Sequence, residues 1–167
     1  MKRLLAISTI AFLFAACGGR DVPVIEMDTK QDIGENMINA NRYMSKAEET
    51  QIDELVKRHR WDARKLDNGV RVWEYQKGSG ENISYETVIK LRYTLSAISL
   101  ETIYDNVEKE ITVGKNEIVP GLDTGLMELQ RGSKAKIIVP AYAGYGVAGD
   151  GDKVPQNATL IFDVEIN

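Results

Sequence analysis

Apolar and polar positions alternate with a period of two from Val88 to Leu95: Ile89, Leu91, Tyr93 and Leu95 fall on one side, Lys90 and Arg92 on the other. That is the pattern of a half-buried strand, and it points Tyr93 inward. The alternation is cleaner near the C-terminus, where Leu160, Phe162, Val164 and Ile166 share a face and Asp163 and Glu165 are among those opposite. Val70 to Tyr75 reads as a further strand behind the turn signal Asp67-Asn68-Gly69, and Lys134 to Val139 as another. Between them a short helix is predicted from about Gly121 to Gln130, with Pro120 at its start and Gly132 as a left-handed stop. Several strands and one short helix predict an α+β fold, an antiparallel sheet wrapped around that helix.

Upstream of residue 65 the period changes. Ser45-Lys46-Ala47-Glu48 has the form of a capping box, in which serine and glutamate each satisfy a backbone N–H at a helix start, and predicts a helix from about 46 to 60. Its apolar positions Ile52, Leu55 and Val56, with Trp61 just beyond, make a narrow stripe suited to packing on the domain or on a second copy. Ile33, Met37, Ile38 and Met44 offer an earlier helical face, weakened by Gly34 and several asparagines. Residues 31–64 are thus expected to be a helical spacer, and 17–30, with two glycines, a proline and no apolar period, a flexible tether.

At the start of the chain, Lys2 and Arg3 precede an apolar run from Leu4 to Ala16, shorter than the roughly 20 residues of a membrane span, so residues 1–16 read as a signal peptide. Leu13-Phe14-Ala15-Ala16-Cys17-Gly18 resembles a bacterial lipobox, which implies acylation of Cys17 and a lipid-anchored, extracytoplasmic protein at the periplasmic or outer-membrane face of the cell envelope. Composition narrows the chemistry. With 21 basic and 25 acidic residues and a net charge of −4, no broad basic surface for nucleic acid is implied. One cysteine and one histidine exclude an internal disulfide framework and a Cys/His zinc cage, so no metal or cofactor is expected. His59 sits among Lys57, Arg58 and Arg60 and reads as part of a solvated basic face. Asp150 and Asp152 around Gly151 lack the further spaced oxygens of a calcium loop and read as a polar loop.

Five segments in order carry a family resemblance: Arg92-Tyr93-Thr94, Ile103 to Asn106, Val113 to Leu122, Gly144-Tyr145-Gly146, and Val154 to Glu165. Across residues 65–167 the chain resembles the FKBP-type peptidyl-prolyl cis-trans isomerases, and with its lipobox and spacer it resembles the FKBP-type lipoproteins associated with gliding motility. The resemblance implies an FKBP-like sheet with an N-terminal helical extension and an apolar pocket for a proline ring. Tyr93, Asp105, Tyr145 and Phe162 would be the catalytic positions, and Tyr104, Ile111, Ile118, Val119, Leu122 and Val154 would bind substrate. Asp105 would stand at the rim near Tyr93, Leu122 would form the floor, and the Val119 N–H and Tyr145 hydroxyl would hold substrate carbonyls.

Implied partners are proline-containing polypeptides, a macrolide ligand, the membrane through acylated Cys17, and a second copy of the chain through the N-terminal helices. Leu122 stands where strongly drug-binding members have an aromatic floor, Leu95 where a glycine usually follows the Tyr-Thr pair, and Lys109 near another pocket phenylalanine. These departures support a competing expectation, a catalytically weak binding module or chaperone in an envelope or motility assembly.

Overall fold

The computed structural model describes residues 31–167. The expected signal peptide, the acylated Cys17 and the tether lie outside the described residues. Helix α1 (Gln31–His59) is followed by strands β1 (Arg64–Lys65), β2 (Arg71–Gln76), β3 (Val88–Ala97) and β4 (Thr102–Thr112). Helix α2 (Pro120–Leu126), β5 (Lys134–Val139), a 3₁₀ turn (Ala141–Ala143) and β6 (Leu160–Ile166) complete the order. The six strands form one sheet in the order β1-β2-β5-β6-β3-β4, with every neighbouring pair antiparallel.

The expected alternation is what divides this sheet into two faces. Ile89, Leu91 and Leu95 of β3, Leu160, Phe162, Val164 and Ile166 of β6, and Ala135, Ile137 and Val139 of β5 are buried in one core with Leu122 and Leu126 of α2. A chain of this length needs such a continuous core, because burial of each large aliphatic side chain contributes only about 1.5–3 kcal/mol. On the opposite face, Ile138 and Ile161 sit across from each other in the β5–β6 ladder and are covered by Ile52 and Leu55 of α1. The Ile52-Leu55-Val56 stripe, which suits either the domain or a second copy, is therefore spent on the chain's own sheet.

Two expected boundaries change. Helix α1 does not start at 46 but runs through from Gln31. Ser45 consequently sits in mid-helix, where neighbouring N–H groups already have partners one turn back, and the capping box has nothing to cap. At its other end α1 closes with Arg60 at φ 56° and with Arg60 N–H to Lys57 O (3.2 Å) and Trp61 N–H to Val56 O (3.0 Å), a Schellman-type stop without glycine. That turn lays Trp61 on the sheet, its ring stacked against Trp73 at 5.7 Å and under the Lys136 ammonium at 5.6 Å. Helix α2, expected to reach Gln130, ends at Leu126. Gly132, the expected helix stop, instead uses its φ of 85° for the tight turn into β5, closed by Ser133 N–H to Gln130 O at 3.1 Å.

Asp53 of α1 and Arg71 of β2 tie helix to sheet. The guanidinium is buried and donates to Asp53 Oδ1 through Nε at 3.1 Å and Nη2 at 2.7 Å, while Nη1 donates to the Gly69 carbonyl.

Candidate functional site

Inward-facing side chains of the sheet meet α2 and its flanking loops in one apolar cluster. Strand β3 supplies Tyr93, β4 supplies Tyr104 and Ile111, and β6 supplies Phe162; α2 and the loop before it supply Leu122, Ile118 and Val119. Tyr145 follows the 3₁₀ turn, and Val154 comes from the loop before β6. All nine belong to one apolar cluster, so the structure brings together every apolar residue that the resemblance implies. Leu122 and Phe162 are wholly buried and Ile111, Val119 and Val154 nearly so, while Tyr93, Tyr104, Ile118 and Tyr145 are half-buried. The Tyr93 and Phe162 rings lie 5.6 Å apart at 57°, a tilted aromatic contact that fixes both.

Backbone geometry at the front of α2 leaves one N–H outside the helix. Val119 is extended (φ −143°, ψ 148°) and Pro120 begins the helix, so the Val119 N–H lies outside the intrahelical ladder. Among the described residues it makes no backbone hydrogen bond. Burial pushes the Tyr145 hydroxyl up from its ordinary value, helped by the nearby Tyr93 and Asp150, and burial raises Tyr93 as well. Both phenols therefore stay protonated as donors at neutral pH.

Asp105 is exposed on β4. Opposite Thr94 the β3–β4 register slips, Tyr93 facing Val107 but Leu95 facing Tyr104, and Asn106 takes φ 49°. Such a bulge re-aims side chains. The Asp105 carboxylate accepts the Thr94 hydroxyl at 2.9 Å, and that hydroxyl also accepts the Asn106 N–H at 3.2 Å. Thr94 alternates with Tyr93 along the strand, and its bond with Asp105 braces the bulge. Tyr104 packs on the cluster as expected, but its hydroxyl is committed: it donates to Asp150 at 2.6 Å and to Asp152 at 3.2 Å, with the Lys153 ammonium 5.2 Å from the ring centre.

Sequence reasoning missed these supports. Asp150 Oδ1 also accepts the N–H groups of Asp152 (2.9 Å) and Val154 (2.8 Å). Burial disfavours its charge, but the hydrogen bonds from Tyr104 and these amides outweigh burial and hold the carboxyl below the usual carboxylate range. The two acids of the polar loop thus fasten that loop to β4. Lys109 donates to the Glu117 carbonyl at 3.0 Å, and Glu117 accepts the Thr112 N–H at 2.8 Å. Asp123, buried on α2, accepts the Asn116 N–H at 2.8 Å, and burial pushes its carboxyl up. Both ends of the segment carrying Ile118 and Val119 are thereby pinned. The i, i+2 acids around Gly151 were visible in the sequence; that they close on a tyrosine 46 residues away in the chain was not. Next to Tyr104 in the chain, Thr102 and Ile103 line an open groove of about 280 Å³ with Ala97, Glu101, Lys153 and Pro155.

The family description "FKBP-type peptidyl-prolyl cis-trans isomerase" matches residues 79–167. FK506-binding protein 2 of Dictyostelium discoideum is 35% identical over 82 residues, 47% of this chain and 62% of its own length. A probable FKBP-type 25 kDa peptidyl-prolyl cis-trans isomerase of Pseudomonas aeruginosa is 27% identical over 107 residues, 64% of this chain and 47% of that protein. The chain therefore spans roughly half to three-fifths of these relatives. Among solved structures, a peptidyl-prolyl cis-trans isomerase of Pseudomonas syringae pv. tomato superposes with a TM-score of 0.63 at 20% identity, covering 75% of this chain and 92% of that one.

Proposed function

Because the chain belongs to the family of FKBP-type peptidyl-prolyl cis-trans isomerases, we propose that it accelerates rotation about X–Pro peptide bonds in polypeptide clients. The observation that carries this reading is the apolar cluster that gathers buried Leu122 and Phe162 with half-buried Tyr93, Tyr104, Ile118 and Tyr145, beside a Val119 N–H that lies outside the helical ladder; the recess for the proline ring is assigned to this cluster. A planar amide resists rotation by about 18–20 kcal/mol, and uncatalysed exchange takes roughly 10–100 s. Its planar form carries more charge separation than the twisted one. Moving the bond from water into an apolar recess therefore raises the ground state more than the transition state, and burying the proline ring selects a rotation-competent conformer.

No bond breaks and no proton needs to move. A 10⁵-fold acceleration requires about 7 kcal/mol, while one hydrogen bond contributes about 0.5–1.5, so the shape and polarity of the recess dominate and the two donors orient the client.

The test is a cis-trans assay on proline peptides that vary the residue before proline. Turnover is expected, flat from about pH 6 to 9, because Tyr93, Tyr104 and Tyr145 are all raised above the ordinary tyrosine value and Asp150 is lowered. A carboxyl held below its unfolded value adds stability above that value, near 3.9, and loses it as pH falls through the folded one. The Asp150 loop, and turnover with it, should fail only in that acid range. A bell-shaped profile centred near neutrality would overturn the mechanism, and binding of proline peptides without turnover would favour the module reading to which Leu95, Leu122 and Lys109 point.

The lipobox resemblance supports anchoring through Cys17, action on exported clients outside the cytoplasm, and kinship with the gliding-motility lipoproteins. Two or more acyl chains hold a protein stably where one does not. Ile38, Tyr43 and Met44 of α1 are exposed, which favours pairing with a second copy. In cells, the full chain should partition into membranes and its Cys17→Ser variant should not; equal partition of the two would remove the anchor. Sedimentation of the detergent-solubilised full chain as a monomer would remove the second copy.

A further inference from the structure

Glu48 lies on α1, outside the matched residues 79–167, yet its carboxylate reaches the frame of the site. Its Oε1 accepts the backbone N–H of Ala141 at 2.7 Å and the hydroxyl of Thr159 at 2.5 Å. Ala141 opens the 3₁₀ turn, and its N–H is one of the donors that a helix start leaves without an internal partner. The Ala141 carbonyl accepts the N–H groups of Gly144 (3.1 Å) and Gly146 (3.0 Å), the residues on either side of Tyr145. Gly146 in turn accepts the Asn157 N–H at 2.8 Å. Thr159, buried, leads directly into β6 and Phe162. One carboxylate oxygen thus grips the residue from which the Tyr145 turn hangs and the residue that starts the strand of the aromatic wall. A charged acceptor on a backbone N–H makes a short, strong bond, and here it is the cap that the turn lacks from its own side chains.

We propose that Glu48 is a positioning residue for the isomerase site: it fixes the turn that presents the Tyr145 hydroxyl, and so makes turnover depend on a helix outside the matched domain. This rests on the isomerase reading above. Glu48 touches no client and acts through the Ala141 peptide. The alternative role for the same bonds, simply holding α1 on the sheet, is shared with Ile52, which is wholly buried between α1 and the sheet and touches neither Ala141 nor Thr159 through a hydrogen bond.

The experiment compares the full chain with its Glu48→Ala, Glu48→Gln and Ile52→Ala variants, reading kcat, KM, thermal midpoint and the amide exchange of Ala141. Glu48→Ala should lower kcat about tenfold with KM within about twofold, a geometric loss at the reacting bond, and should speed Ala141 exchange. Glu48→Gln keeps an oxygen acceptor and should recover both to within about twofold. Ile52→Ala should lower the thermal midpoint more than Glu48→Ala, yet keep kcat within about twofold at a temperature where it is folded. Equal kcat losses in Glu48→Ala and Ile52→Ala, or an unchanged kcat in Glu48→Ala, would overturn the proposal. Should the wild-type chain show no turnover, the isomerase reading falls by itself; Ala141 exchange and the Tyr145 ring resonances then decide the positioning, and their being unchanged in Glu48→Ala overturns it.

Discussion

Phe162→Ala should abolish measurable turnover and lower stability by about 3–5 kcal/mol, the cost of removing a large aromatic from a packed core. The ring is wholly buried, tilts against Tyr93 at 5.6 Å, and faces Leu95 on one neighbouring strand and Ile137 on the other. Its loss opens a void under the recess and frees Tyr93 to turn into it, so the client would meet both a deeper and a wetter pocket. Because such a variant confounds folding with catalysis, Phe162→Leu is the sharper probe: it keeps most of the apolar volume, should remain folded, and should still lose turnover at least about tenfold. Tyr145→Phe is the contrast, removing one orienting hydroxyl from a half-buried ring and worth only a few-fold, in line with about 0.5–1.5 kcal/mol for one hydrogen bond. Equal turnover losses in Phe162→Leu and Tyr145→Phe, measured by the proline assay beside urea unfolding, would contradict the primacy of the apolar recess.

A second large effect is expected where α1 meets β2, and its order is counterintuitive. Asp53 is well exposed, with 62% of its side chain accessible, while Arg71 is buried at 2%. Asp53→Ala removes the acceptor of two guanidinium bonds and leaves a buried charge satisfied only by the Gly69 carbonyl, which should cost about 2–4 kcal/mol. Arg71→Met removes the charge and keeps the stem volume, so it should cost less than Asp53→Ala although it deletes the buried member of the pair. Denaturant midpoints of the two variants decide this. A larger loss for Arg71→Met would mean that the ion pair adds net stability beyond relieving its own desolvation.

Legibility in the sequence followed the range of the interaction that decides each feature. Strand β6 and the inward face of β3 were readable because period-two burial is written in consecutive residues, and the structure buries Phe162 and Leu95 where alternation puts them. The nine apolar positions taken from ordered motifs do gather in one cluster. Strand β4 was not predicted over its length, since an edge strand with Asp105, Glu108, Lys109 and Glu110 along it has little alternation to show. The bond between Asp105 and Thr94 was not legible, because it depends on one bulge at Asn106. The start of α1 was misread because Ser45 and Glu48 satisfy a local cap rule, and only the folded chain shows that Glu48 serves Ala141 and Thr159 instead. Local chemistry was visible, whereas partners many tens of residues apart were not.

The position of β6 in the strand order bears on when this domain can form at all. It is the last strand to arrive along the chain but the central one in the sheet, pairing with β5 on one side and β3 on the other. Until Leu160 to Ile166 are available, the pieces β1-β2-β5 and β3-β4 have no ladder between them. Closing such non-local pairings is entropically slow. A ribosome delivering this sequence from its N-terminus would therefore handle two unjoined sets of strands until β6 emerges. Delayed closure of this kind makes β6 the step at which the two sets of strands commit to one sheet.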